Sequence, residues 1–188
     1  MDLQEQIVIK VAETESEKQA AFRLRYQVFT MELSDDRYAN HETKEFRDSD
    51  DVESAVQIVA TARDEVIGCV RLKALRNREF LGFEAYNLAK LGTLLDRSTE
   101  DLHSSIGCMD RGVVHPDYRG HKVIAKLMRK GEELASAMEL DCLLGAPEVY
   151  NMAARKAYSK IGYVEYFVGT HNGTTCQCIY KVLDQHLS

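Results

Sequence analysis

The sequence predicts a mixed α/β fold of the α+β type, with a mostly antiparallel central sheet flanked by helices. Short β-branched runs and longer amphipathic stretches follow one another as strand, helix, strand pair, strand, helix, strand, helix and hairpin. Two tight turns, Arg63-Asp64-Glu65 and His171-Asn172-Gly173, join neighbouring strand-like runs and so favour antiparallel pairing. The 188 residues, 45% hydrophobic and 29% charged with two prolines, suit one globular domain spanning 1–188.

Residues 6–11 alternate and are β-branched, as a first strand is. Thr14 and Glu17 have the spacing of a capping box, ahead of a helix with Phe22, Tyr26 and Phe29 on one face that extends to about Met31. Residues 32–53 are polar, acidic and without periodicity, which fits either a substrate-facing flap or surface disorder. Residues 55–62 and 66–72 read as a hairpin. Between 73 and 104 the signals weaken to a short helix at 83–91 and a turn or capped fragment at 99–103. Residues 106–115 form a fourth strand, in which Gly112 marks a bulge. Val123, Ile124, Leu127, Met128, Leu134, Ala135 and Met138 then recur at helical spacing. Residues 141–146 are a short buried strand closed by Pro147, 151–160 a helix ended by Gly162, and 163–168 with 174–182 the final hairpin.

Net charge of −6 argues against nucleic acid or an anionic membrane as partner. No apolar run approaches the length of a membrane span, and Met1-Asp2-Leu3-Gln4-Glu5 is unlike a signal peptide, so a cytoplasmic location is expected. The five cysteines include no C-x-x-C pair and no Cys/His cluster of zinc spacing. They read as buried thiols in a reducing compartment, and no metal is expected.

The chemistry concentrates at 112–124. A β-branched strand stops at Pro116, Arg119-Gly120 makes a basic turn, and a helix begins. Unpaired N–H groups at the positive end of a helix dipole form an anion site, most often for phosphate. Its members are Arg119, Gly120, His121, Lys122, Val123 and Ile124, with the backbone of Val113 and Val114 leading in.

Val114-His115-Pro116-Asp117-Tyr118-Arg119-Gly120 resembles the strand ending V-x-P and the start of the Q/R-x-x-G-x-G/A pyrophosphate motif of the GNAT N-acyltransferases. Lys122 stands where that motif has Gly, and Ile124 where it has Gly or Ala. Asn151-Met152-Ala153-Ala154-Arg155-Lys156-Ala157-Tyr158-Ser159-Lys160-Ile161-Gly162-Tyr163 resembles the family's second landmark without a gap. The resemblance follows the element order of nearly the whole chain and is strongest over 106–163. It implies a GNAT-like fold, acetyl-CoA or a longer acyl-CoA as co-substrate, and a small-molecule primary amine as acceptor.

A narrower resemblance links Arg25 to Phe29, Asp48, Asp51, residues 68–72 and Asp110-Arg111 to acyl-homoserine lactone synthases and N-acyl amino acid synthases. Those relatives generally take the acyl chain from an acyl carrier protein. Here Leu33 or its neighbours replace an aromatic residue, and Cys108 replaces a Glu. The missing glycines of the turn and the missing Glu at position 108 keep a third alternative open, a non-catalytic CoA-binding sensor.

By resemblance, Tyr158 is the general acid for the departing thiolate; its other reading is a core tyrosine. Asp110, two residues beyond Cys108, is the candidate base, acting directly or through a water, or else is salt-bridged to Arg71 or Arg111. His115 and Glu148 are further candidates for the base, His115 also suiting a structural place beside the turn. Val113 and Val114 would offer backbone groups to the pantetheine amide and the thioester carbonyl. Asn151 would bond the pantetheine arm or merely cap its helix. Arg25, Phe29, Arg71 and Arg111 form the acceptor set, Arg25 and Arg71 as carboxylate forks or as solvent-facing arginines. Asp48 and Asp51 read as surface charges in a loop.

Overall fold

The computed structural model describes residues 7–77, 80, 83–171 and 173–183. The strands are β1 (Val8–Val11), β2 (Ala39–Asn40), β3 (Glu45–Phe46), β4 (Val56–Ala62), β5 (Glu65–Ala74), β6 (Ile106–Val114), β7 (Cys142–Gly145), β8 (Val164–His171) and β9 (Thr174–Val182). The helices are α1 (Glu15–Arg25), α2 (Leu88–Leu95), α3 (Thr99–Ser105), α4 (Val123–Ala137) and α5 (Met152–Lys160). Seven strands take the order β1-β4-β5-β6-β7-β9-β8. β6 and β7 run parallel, whereas β1–β4, β4–β5, β7–β9 and β8–β9 are antiparallel, as the sequence predicts. No helix among the described residues is long and apolar enough to cross a membrane. The chain divides into two compact units, one of Met1–Leu72 with Arg111–Gly131, the other of Lys73–Asp110 with Glu132–Ser188.

In the first unit, Ala12, Ala21, Leu24, Val28, Val59, Cys69 and Val113 form a buried cluster. The predicted capping box is present: Glu17 N donates to Thr14 Oγ1 and Thr14 N donates to Glu17 Oε2, each at 3.2 Å. Lys10 also pairs with Glu17, and these bonds hold the Glu17 carboxyl down at about 2. The contribution of this cap is therefore complete above the ordinary carboxylate range and is lost as pH falls toward 2. The helix continues past Arg25 as predicted, but Tyr26–Glu32 winds as a π-helix. Its Leu33 N–H reaches back five residues to Val28 O at 3.2 Å.

Disorder over 32–53 is overturned. β2 and β3 pair there, and Phe46 is fully buried with its ring 4.8 Å from Phe29 and 5.7 Å from Tyr38. The β4–β5 turn places Arg63 and Asp64 at φ of +51° and +67°, the two left-handed residues that a twisted two-residue hairpin requires. Beside Gly112, where a bulge was expected, Arg111 carries a left-handed step at φ +54°.

In the second unit, Leu91, Leu102, Ile106, Cys108, Cys142, Leu144, Tyr166 and Cys178 belong to one core cluster. The weak signals at 83–103 resolve into a 3-10 turn at Phe83–Tyr86 and two capped helices. Asn87 Oδ1 accepts from Lys90 N and Ser98 Oγ from Asp101 N. All five cysteines are buried, and none is joined in a disulfide. β8 and β9 pair down to His171 and Thr174, while Asn172 of the predicted turn and the acidic N-terminal residues 1–6 lie outside the described residues.

A Cβ added at Gly169 of β8 would lie 2.3 Å from the carbonyl oxygen of Ala85, a backbone atom that cannot swing away. Gly169→Ala therefore lowers stability by about 2 kcal/mol, the scale of an overpacked core site. Thermal denaturation reads this as a fall in Tm of about 4–8 °C.

Candidate functional site

The turn after β6 lies in the first unit. His115 N donates to Ile67 O at 2.8 Å, and Asp117 N approaches His115 Nδ1 at 3.4 Å, so His115 holds the end of the strand and the short 3-10 turn Pro116–Tyr118. Gly120 follows at φ +85° and Lys122 at φ +60°. The α4 ladder opens with Lys126 N on Lys122 O at 3.1 Å, which leaves the amides of Val123, Ile124 and Ala125 at the helix mouth. A Cβ placed on Gly120 meets nothing within 4 Å, so this face is open.

Both departures from the pyrophosphate motif now have a physical account. Lys122 itself takes the left-handed conformation that a glycine supplies freely, at a cost of about 1–2 kcal/mol. Ile124 directs Cδ1 toward β6, where a Cβ on Gly112 would meet it at 3.2 Å. Its bulk is therefore accommodated against a glycine on the facing strand. Arg119 donates from Nε to Val114 O at 3.2 Å and from Nη2 to Glu32 Oε2 at 2.7 Å. An open turn at a helix N-terminus, with Arg119 and Lys122 both exposed, fits a pyrophosphate.

The same unit buries a network of arginines and aspartates. Arg71 grips Asp48 with both ends of its fork, at 2.6 and 3.1 Å, and reaches Asp51 Oδ1 at 3.0 Å. Arg25 Nη1 donates to Asp51 Oδ1 at 2.8 Å and its Nη2 donates to Gln57 Oε1. Arg111 Nε donates to Asp48 Oδ2 at 2.8 Å. Its guanidinium lies 4.8 Å from the Tyr38 ring, 5.3 Å from Phe46 and 6.0 Å from Phe29. Arg25 and Arg71 have no exposed surface, nor has the Asp48 side chain.

These positions correct the sequence reading. Asp48 and Asp51 are not surface charges. Arg25 and Arg71 do not face solvent: the Arg71 fork is held by Asp48 and Asp51, and the Arg25 fork by Asp51 and the amide oxygen of Gln57. Phe29 packs its ring against Phe46.

The second unit holds Tyr158, Cys108, Asp110 and Asn151. Tyr158 Oη donates to Met109 O at 3.4 Å, and its ring meets Tyr163 edge-on at 5.1 Å. Burial, with Cys108 and Asp110 nearby, pushes the Tyr158 phenol well above its ordinary value, so it stays protonated at physiological pH. Cys108 Sγ lies 3.1 Å from Tyr86 Oη, a buried thiol–phenol pair where the relatives' glutamate was expected. Asp110 pairs with Lys73 at 2.7 Å and keeps 26% of its side chain exposed. Asn151 Oδ1 accepts from Ala154 N at 3.0 Å and so caps α5. Glu148 forms an isolated bridge with Cys176.

Sequence reasoning passed over Glu32, Gln57, Lys73 and Tyr86. Lys73 left a signal: Arg71 and Lys73 stand on one face of an otherwise apolar strand, and buried cations require carboxylate partners. Glu32 and Tyr86 sit in stretches without periodicity and left none.

The seven-stranded sheet with its flanking helices is the GNAT-like architecture expected from the sequence. A family model described as an acetyltransferase (GNAT) domain matches residues 24–129, more than half of the chain. The chain belongs to the GNAT acetyltransferase family and is thereby an acyltransferase. Among solved structures, BjaI, a CoA-dependent acyl-homoserine lactone synthase solved with SAM and isopentyl-CoA, gives a TM-score of 0.70 at 18% identity, over 96% of this chain and 84% of its own. TofI, in a ternary complex with an inhibitor and MTA, gives 0.66 at 17%, over 95% and 92%. A GNAT-family acetyltransferase from Staphylococcus aureus Mu50 gives 0.63 at 14%, over 95% and 99%. At such identities the likeness is one of fold. A comparison with curated protein sequences gave no match.

Asp48→Asn removes the charge that two guanidinium groups share and lowers stability by about 3–5 kcal/mol, as loss of one partner from a buried ion pair does; urea denaturation measures it. Lys122→Gly removes a left-handed side chain and raises stability by about 1 kcal/mol. A loss in the same experiment would mean that the lysine side chain holds the turn.

Proposed function

We propose that the chain transfers an acyl group from an acyl-CoA thioester to the primary amine of a small molecule. The observation that carries this reading is the turn 119–122, an open, left-handed, doubly basic entry to α4. Its amides, with Arg119 and Lys122, would hold the pyrophosphate. The backbone of Val113 and Val114 would receive the pantetheine arm and the thioester carbonyl, and Asn151 would take part in binding the arm. The acyl-CoA supplies an activated acyl group on sulfur.

As the acceptor nitrogen forms its bond to the acyl carbon and the carbon–sulfur bond breaks, one proton must leave the amine and one must reach the thiolate. Tyr158 gives its proton to the sulfur. Asp110, held by Lys73 yet partly exposed, takes the amine proton directly or through a water.

A second reading has its own support. Arg25, Asp48, Asp51, Arg71 and Arg111 carry the resemblance to the acyl-homoserine lactone and N-acyl amino acid synthases, and they occur together in one network. An amino acid or homoserine derivative as acceptor, with a CoA or carrier-protein thioester as donor, follows from it.

Calorimetry with acetyl-CoA, longer acyl-CoAs and free CoA, combined with thiol release over an amine panel, separates these readings. Binding with thiol release supports CoA-dependent transfer. Absence of CoA binding points to a carrier-protein donor, and binding without release on any amine points to a sensor. Tyr158→Phe lowers turnover about a hundredfold, the scale of a lost general acid, while CoA affinity changes less than about twofold. Unchanged turnover removes Tyr158 from this role.

A further inference from the structure

We propose that Arg111 is a positioning residue whose anchored left-handed step directs the backbone of Val113 and Val114. The proposal rests on the acyl-CoA reading, which gives those backbone groups a thioester and a pantetheine arm to meet.

An arginine at φ +54° within a strand is strained, and the neighbouring Gly112 does not take the left-handed step in its place. A step of this kind breaks the alternation of a strand, re-aiming the peptide groups that follow it. It persists only where the surroundings hold it. Here Asp48, itself gripped by both ends of the Arg71 fork, accepts from Arg111 Nε at 2.8 Å. The rings of Tyr38, Phe46 and Phe29 close around the guanidinium, and the side chain is 17% exposed. Beyond the step, the Val113 side chain is buried in the core, and His115 N is bonded to Ile67 O at 2.8 Å. The backbone from 111 to 115 is thus fixed at both ends, by a salt bridge at one and by a ladder bond at the other.

The test is the series Arg111→Gly, Arg111→Asn and Arg111→Ala. All three lose the guanidinium equally, so any direct contact of that group with an acceptor is removed from all of them. They differ in how readily they adopt the left-handed conformation: Gly freely, Asn with little strain, Ala with more. The readouts are kcat and KM with acetyl-CoA or the best acyl-CoA, the carbonyl stretch of the bound thioester by infrared difference spectroscopy, and Tm. Expected is kcat in the order Gly, Asn, Ala, with Ala about tenfold below Gly, and a carbonyl shift that weakens in the same order. If Ala does not fold, the Gly–Asn pair carries the comparison. Wild-type turnover with equal kcat and equal carbonyl shift across the folded variants overturns the positioning role alone. A wild-type protein that neither releases thiol nor shifts the carbonyl overturns the acyl-CoA reading and this role with it.

Discussion

Two guanidinium groups from neighbouring stretches of sheet converge on one fully buried carboxylate, Asp48. Taking such a charge out of water costs several kcal/mol, and its partners must return that energy through geometry. Arg71 does so with a two-pronged grip, while Arg111 adds a second cation from a position 63 residues away in sequence. Asp51 extends the arrangement to Arg25 and Gln57. The consequence is positional rather than simply stabilising. An acidic segment with no hydrophobic periodicity acquires one fixed path, because its aspartates have few other places to be neutralised.

The basic turn 119–122 follows a different electrostatic logic. Arg119 is exposed, and its partners are a carboxylate at the end of the π-helix and the carbonyl of Val114. Exposed pairs of this kind contribute about 0–1 kcal/mol, so the Arg119–Glu32 pair adds little to the stability of the fold. A buried network thus holds the framework, and an exposed pair leaves its cation within reach of an anion.

Local chemistry was legible in the sequence. Thr14 and Glu17 announced a helix start, Pro116 a strand end, Asn151 a cap, and the helical spacing after Lys122 a long helix. Each depends on residues within one or two turns. Partnerships across the chain were not legible: nothing near Lys73 points to Asp110, and nothing near Glu32 points to Arg119. Gly112 pointed to an irregularity in its strand, but nothing in the sequence showed that the arginine beside it takes a left-handed conformation. The winding of Tyr26–Glu32 as a π-helix likewise has no signature in a pattern of period 3.6, since an apolar face extends through it either way.

Gly112 and Ile124 bear on how a motif should be read. The family pattern places a small residue at the second turn position because the space there is limited. In this chain the small residue stands on the opposite wall, and the large one leans toward it. Shrinking Ile124 alone would open a void beside Gly112, and enlarging Gly112 alone would force two side chains into one volume. The two positions are sterically coupled across the gap between turn and strand. A one-dimensional pattern registers a missing small residue, whereas in three dimensions a glycine on the facing strand makes room for the larger side chain.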